Sequence, residues 1–463
     1  MESNSKQQLL KRISSLVLEN KELKNKQRTL TDEYSRVEGE LKIYQDLVEK
    51  TIVEYNAMSS NSYQQKRFDK VTVMFIRIHR PSDIAVFAAD TSEYLEKIDN
   101  FQRSFHKIAE KHKLVKLQSI GDQFICAGGI PEKNSISPVT VTLAAFEILG
   151  ILETERRNSS GHKWSLNIGI HTGAVNALVD GHKRLNYYEM EDDTLKETSH
   201  IVSVCTKNNV TISASTYELV KELFECNYTH SLLMKNRKEL ELFAVAGCKA
   251  EYAGNAKIYL PNDAFRTQLM LIQFSDLQEF IFDKLEKELP DYLYYHNVKH
   301  TVDVVTQCEL IGWSEGLRDN QLLMLKTAAL FHDTGHTVSY ENHEDRSVDI
   351  ARNILPKYSY TSEEIDKICR IIMSTKLPPR PTDLFEAIIC DSDLDYLGRT
   401  DFVPVSNTLY AELKTQNKSL TLNEWNKMQL KFITSHQYFT KTGRKLRNVK
   451  KQEQIVRIKE LIE

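Results

Sequence analysis

The chain has 463 residues, of which 41% are hydrophobic and 27% charged, with a formal net charge of -3. That length exceeds what one core uses and fits two or three domains, and the near-neutral charge excludes global steering toward nucleic acid. No apolar stretch approaches a membrane span, the opening MESNSKQQLL has no signal-peptide core, and the seven cysteines fall singly, without the spacing of a disulfide framework or a zinc knuckle. The expectation is a cytoplasmic protein with reduced thiols and neither a membrane nor a nucleic-acid partner.

Residues 1–60 lack proline and are rich in Lys, Glu, Gln and Leu. Leu9, Leu16, Leu23, Leu30, Val37 and Tyr44 recur every seven residues. Ile13, Asn20, Gln27, Tyr34, Leu41 and Val48 follow each at a spacing of four, and Tyr55 continues that second series. This is a d/a heptad seam, and Asn20 at an a position favours two parallel strands in register. A parallel coiled-coil homodimer is expected over 1–60.

The heptads stop at NSYQQKRFDK (61–70). Short β-branched runs then alternate with helical stretches. VTVMFIRI (71–78) reads as a buried strand, 91–112 as a helix, and 114–129 as two strands about a turn at Gly121-Asp122. Residues 138–157 read as a helix, 164–179 as two strands, 209–224 as strand then helix, and KELELFAVAG (238–247) as a last strand. The alternation implies a sheet covered by helices. From about 266 to the end, helical periodicity dominates, which marks a separate all-α domain.

Four segments of the middle region, VTVMFIRIHRPSD, LQSIGDQFICAGGIP, LNIGIHTGAVNALV and NYYEMEDDTLKETSHIV, occur in the order and spacing of class III nucleotide cyclase catalytic domains. The resemblance covers 68–250 and implies a ferredoxin-like fold that pairs head to tail, with a nucleotide held at the dimer interface. Cyclase chemistry needs two metal ions on two aspartates. Asp122 matches one of them, but the other position holds Arg77, whose charge would repel a cation. Asp193 and Thr194 align on the family helix, where the expected Asn and Arg are replaced by Lys196 and His200. The base-reading positions are Gln118 and Glu189, which fit neither purine pattern well. The resemblance therefore implies a cyclase shape with degraded chemistry, kept for dimerisation or for binding a nucleotide as a signal.

The C-terminal region concentrates histidines: five of the fourteen, at 296, 300, 332, 336 and 343, fall within 48 residues. YYHNVKHTVDVV spaces His296 and His300 as i, i+4, which on a helix points both at one ion. AALFHDTGH ends an apolar run on His332 and Asp333, YENHEDRSVDIA adds His343 and Glu344, and AIICDSDLDYLGR ends another run on Asp391, Asp393 and Asp395. A lone buried His is usually a satisfied core residue. Several such groups buried without a cation would cost several kcal/mol. Imidazoles mixed with carboxylates suit divalent Zn, Mn, Fe or Co, or a pair that includes Mg.

The H…HD…D pattern resembles the HD superfamily of metal-dependent phosphohydrolases, and its segments are also similar to the signatures of cyclic-nucleotide phosphodiesterases. The resemblance implies that His300, His332, Asp333 and a C-terminal aspartate, Asp393 before Asp391, hold a first divalent metal. His343, with His336 as a further candidate, would face a second, and His296 would protonate the leaving oxygen. A glutamine pocket for the purine is not identifiable in the sequence. The expected architecture is thus a coiled coil (1–60), a cyclase-like domain (68–250) and an all-α HD domain (266–463). The expected activity is metal-dependent hydrolysis of a nucleotide or cyclic nucleotide. The rivals are an active cyclase with a regulatory HD domain, and a signalling scaffold without turnover.

Overall fold

The computed structural model describes residues 64–79, 91–158, 164–179, 185–186, 193–234, 237–254 and 257–462. The coiled coil expected over 1–60 lies outside the described residues. The chain divides into two compact units, 1–67 with 176–190, and 68–175 with 191–463. The larger unit carries both a sheet domain and a helical domain.

The sheet domain comprises β1 (Gln64–His79), α1 (Thr91–Lys111), β2 (Val115–Ile120), β3 (Gln123–Gly128), α2 (Ser137–Asn158), β4 (Ser165–Val179), β5 (Leu185–Asn186), α3 (Asp193–Val204), β6 (Val210–Ser213), α4 (Ala214–Val220), β7 (Phe224–Leu233) and β8 (Glu239–Cys248). Strand order is β2-β3-β1-β4-β6-β8-β7, with β5 paired to β4. The first four strands and two helices form the βαββαβ ferredoxin-like arrangement. β1 and β3 pair antiparallel, from Thr72 opposite Gly128 to Arg77 opposite Gln123. Met74, Ile76 and Ile78 alternate into a core shared with Phe105, Phe124, Ile148 and Leu166. A short hairpin, β9 (Ala253–Gly254) and β10 (Lys257–Pro261), follows.

Three sequence expectations change here. Within 164–179 the chain forms one fifteen-residue strand, Ser165–Val179, not two. Gly173 marks a close approach instead of a turn: a Cβ there would stand 2.5 Å from Thr194 Oγ1 on α3. β7 is the sheet's edge, and its mostly exposed side chains, Tyr228 and Leu233 among them, give no alternation to read. α2 contains a window, 137–155, long and apolar enough to cross a membrane by composition, against the expectation that none exists. It instead packs Val141, Ala144, Ala145, Ile148 and Leu152 into the sheet core.

The helical domain comprises α5 (Asp263–Glu288), α6 (Val298–Ser314), α7 (Asp319–Phe331), α8 (His343–Ile354), α9 (Ser362–Met373), α10 (Leu384–Asp393), α11 (Phe402–Gln416), α12 (Leu422–Ser435) and α13 (Lys441–Glu460). Sequence caps set the starts. Asn262, Asn297, Asp383 and Thr440 each accept a backbone N–H of the first turn, and Thr361 with Glu364 and Thr421 with Glu424 form capping boxes. The boundary expected between 250 and 266 is not a linker. Phe265 of α5 joins the sheet core against Phe224, ring centroids 5.6 Å apart, while Phe274, Leu277, Ile281 and Leu285 of the same helix join the helical core. Ser135, beyond β3, donates through N and Oγ to Asp276 of α5, both at 2.7 Å. One helix is therefore built into two cores.

Candidate metal centre

α7 is apolar on nearly every side, and Leu322, Leu323, Leu325, Ala328, Leu330 and Phe331 are buried. A helix of that composition must run through a core. It delivers His332 and Asp333 at its C-terminal end into the interior, 0% and 7% exposed. The turn at 334–337 folds α8 back over them. Its Gly335 N–H donates to Ser347 Oγ, and Ser347 Oγ donates to His332 O. A Cβ at Gly335 would stand 1.9 Å from His343 O, so no other residue permits this approach.

Four donor atoms from three helices converge. His300 Nε2 and His332 Nε2 face each other at 3.3 Å. Asp393 Oδ1 lies 3.1 Å from the first and 3.5 Å from the second, and Asp333 Oδ2 lies 3.3 Å and 3.1 Å from them. The edges of a tetrahedron around an ion with bonds of about 2.0–2.2 Å are about 3.3–3.6 Å. Five edges of such a figure are thus present within a few tenths of an ångström. His332 Nδ1–H donates to Ala329 O at 2.7 Å, which fixes the tautomer and leaves the Nε2 lone pair for the cluster. Asp333 Oδ2 has no hydrogen bond of its own despite its buried position. Burial opposes charge on His300 and His332, but the two aspartates outweigh it and raise both imidazole pKa values. Burial likewise opposes charge on Asp333 and Asp393, and the two histidines hold both carboxyls below their usual range. With every proton removed, two lone pairs and two carboxylates would share one point. The donor set fits a divalent ion.

A second group adjoins it: His296, Asp333 and His336 bring ligand atoms within 4.8 Å of one another. His336 is 3% exposed, yet neither ring nitrogen has a hydrogen-bond partner. Burial pushes its pKa down to about 3, so the ring is neutral with a free lone pair. It stacks on His343 with centroids 3.9 Å apart, and His343 Nε2 stands 3.6 Å from Asp333 Oδ1.

Two sequence expectations are corrected. His296 and His300 do not share a helix face. Asn297 caps α6, so His296 precedes the helix and turns to the second group while His300 serves the first. Asp391 is not at the cluster. Positions two apart on a helix lie about 200° apart, and Asp391 faces the start of α13. There its carboxylate accepts Phe439 N, Thr440 N and Thr440 Oγ at 2.7–2.8 Å. Asp395 is likewise engaged, by Arg447.

Sequence reasoning missed Glu412 of α11. It is fully buried, takes His296 Nδ1 at 2.5 Å and accepts the backbone N–H of Tyr295 and His296. Also missed was the wall of a cavity of about 550 Å³ in front of Asp333, His336 and Asp393, where α12 contributes Trp425, Met428, Gln429 and Phe432. Ser406 Oγ donates to Gln429 Oε1, which leaves the amide NH2 as a donor at the wall. These residues lie more than 75 positions beyond the HD pair, with no spacing to tie them to it.

In the sheet domain, Asp122 occupies the β2–β3 turn, half-buried, and its carbonyl accepts Ile78 N at 2.8 Å. Arg77 sits opposite Gln123 on β1, beside that turn. The two aligned positions are therefore neighbours. Lys196 and His200 lie exposed on α3 and Gln118 is exposed on β2. Glu189 lies outside the described residues.

The family model of the adenylate and guanylate cyclase catalytic domain matches residues 63–247, and that of the HD domain matches 297–395. The chain joins a class III cyclase domain to an HD domain. Human guanylyl cyclase C is 24% identical over 216 residues, 45% of this chain and 20% of its own length. The receptor-type guanylate cyclase gcy-23 of Caenorhabditis elegans is 30% identical over 162 residues, 33% of this chain and 14% of its own. The chain thus spans a fifth or less of these curated relatives. Among solved structures, the guanylate cyclase domain of RhGC from Catenaria anguillulae in complex with GTP is 22% identical, with a TM-score of 0.35 over 40% of this chain and 100% of that one. The adenylyl cyclase CyaB from P. aeruginosa is 18% identical, with a TM-score of 0.36 over 41% of this chain and 100% of that one.

Proposed function

We propose that the HD domain is a metal-dependent phosphodiesterase acting on a purine nucleotide, with a cyclic one as the preferred substrate. The convergence of His300, His332, Asp333 and Asp393 at tetrahedral-edge distances carries this reading. These four would hold one divalent ion (Zn, Mn, Fe, Co or Mg), and Asp333, His336 and His343 would face a second. Such ions, when bound, neutralise the phosphate and make water a competent nucleophile near neutral pH.

The protein's own groups supply the rest. His296, backed by the Glu412 carboxylate on Nδ1, protonates the leaving oxygen from Nε2, and Glu412 stabilises the imidazolium that must form first. The aromatic and aliphatic wall of the cavity suits a base, and Gln429 offers it a directional donor.

For the cyclase domain we propose no cyclisation. Arg77 stands at the position of a metal carboxylate, and its charge would repel a cation there. The domain would serve dimerisation, with residues 1–60 as a parallel coiled coil, and nucleotide-dependent regulation. The test is a screen of cAMP, cGMP and linear nucleotides with Mg, Mn, Zn, Co and Fe. A parallel incubation of the His332→Ala protein with ATP or GTP prevents product loss. Hydrolysis in the first and no cyclic product in the second is expected. Cyclic product that disappears in Asp122→Ala would reverse the assignment, and no turnover in either would leave a scaffold.

A further inference from the structure

The C-terminal helix α13 carries no acidic residue from Lys441 to Gln452, while Lys441, Arg444, Lys445 and Lys450 are all exposed. Its buried side, Gly443, Lys451, Gln454, Ile455 and Ile458, faces the domain. At 100° per residue, Val449 falls near the pole opposite that side and Leu446 within about 60° of it. Lys445 then flanks the apolar pair on one side and Lys450 on the other. Val449 is 73% exposed and Leu446 41%.

A second apolar feature meets this helix. On α6, Leu310 is 45% exposed and Trp313 75%. A tryptophan this exposed is unusual, because burying its ring is worth more than burying almost any other side chain. The two helices touch where Glu315, two residues past Trp313, accepts Thr442 N at 2.7 Å. That bond, with Lys441 and Arg444 nearby, holds the Glu315 carboxyl below its usual range. The neighbouring acid Glu309 is paired with Lys326 at 2.8 Å. The outer surface of these two helices is therefore mainly cationic and apolar, with Glu309 and Glu315 engaged and Glu453 the exposed acid one turn beyond Val449.

We propose that the Trp313 end of α6 and the outer face of α13 form a docking site for an anionic membrane surface. Charge complementarity selects this occupant: lysines and arginines flanking a small apolar strip match lipid phosphates above an acyl boundary, and an indole prefers that interface. The apolar strip is too small for insertion, so attachment is peripheral and reversible. This departs from the expectation of no membrane partner, which rested on the absence of a spanning segment and says nothing about surface attachment.

Two of the chain's three tryptophans, Trp164 and Trp425, are each only 6% exposed, so the emission of the full chain reports contact at Trp313. Titration with phosphatidylcholine vesicles containing 30% phosphatidylserine (about 30%, a common cytoplasmic-leaflet mimic) should shift that emission to the blue and sediment the protein. Pure phosphatidylcholine vesicles should do neither, and salt should reverse both effects. Trp313→Phe should lose the shift and keep most of the binding. Lys445→Glu with Lys450→Glu should weaken binding at least about tenfold, at unchanged nucleotide hydrolysis. No sedimentation at millimolar anionic lipid, or binding indifferent to the two charge reversals, overturns the proposal. A blue shift that grows with protein concentration without lipid also overturns it, in favour of a second copy of the chain.

Discussion

Two of the buried polar clusters among the described residues are built on opposite rules. In the cyclase domain, His171 Nδ1 meets Ser213 Oγ at 2.7 Å and its Nε2 meets Glu197 Oε2 at 2.9 Å, while Glu197 Oε1 takes Lys238 Nζ at 2.7 Å. Thr172 continues the network to Thr72 and Thr216, each at 3.0 Å. Each of these groups has a partner of its own. In the HD domain the donors crowd to one point, two imidazole nitrogens face each other, and His336 and Asp333 keep orphaned atoms. A satisfied buried network repays its desolvation internally and rigidifies a fold. An unsatisfied one costs free energy until something binds, so orphaned atoms that converge with other donors on one point mark a candidate site.

The sharpest way to break this contrast is to remove the shared carboxylate. Asp333→Ala should release the metal and drop hydrolysis below about 10⁻⁴ of wild type, since the ions supply most of the rate. The folded state should persist without metal, because a crowd of charged groups has lost a member. Elemental analysis and circular dichroism read both. A variant that keeps its metal would place the cluster with the ordinary networks.

His296→Ala separates chemistry from binding. Metal content should hold while kcat falls by about 10²–10⁴-fold, as expected for loss of a general acid. Glu412→Gln should fall in the same direction by less, and its pH–rate profile should move because the imidazolium loses its counter-charge. Loss of metal in His296→Ala would make that residue a ligand instead.

Gln429→Ala should lower kcat/KM by about 10–100-fold, chiefly through KM, because one directional hydrogen bond to the base is lost. Asp391→Ala is the matching control. It should lower Tm through loss of the turn before α13 and leave metal content and KM unchanged.

The smallest effect tests the satisfied cluster. His171 holds the Glu197 carboxyl down at about 2, with burial opposing and Lys238 assisting. A carboxyl depressed on folding contributes stability that is complete above its unfolded pKa, about 4.3. That contribution is lost as pH falls from there through the folded value. Glu197→Gln should therefore cost about 2 kcal/mol near pH 7. The penalty should shrink below pH 4.3 and vanish near 2. Urea unfolding at pH 7 and pH 3 reads the difference, and an equal penalty at both would mean the network does not depend on that charge.

Much of this was legible in the sequence, and the reason is local. The helix ending at Phe331 and the hairpin at Gly121-Asp122 follow from hydrophobic period and turn chemistry, which act over a few residues. His332 and Asp333 were readable because a polar pair ending a buried helix needs a partner, and His300 through its place in the H…HD…D pattern. What failed depended on neighbours far along the chain. β7 lacks alternation because it is an edge, and Gly173 serves a helix twenty residues later.

By itself, then, the sequence determined the division into a sheet region and a helical region, and named most of the donors that converge in the candidate cluster. Only the tertiary structure decided between Asp391 and Asp393, because helix phase sends one to the α13 turn and the other to the histidines. It alone separated His296 from His300, brought Glu412 behind His296, and put Gln429 and Phe432 across the cavity from Asp333. Spacing along a chain records which residues share an element. Direction in space, and therefore chemistry between elements, is fixed only when the cores close and each helix takes its rotation against the others.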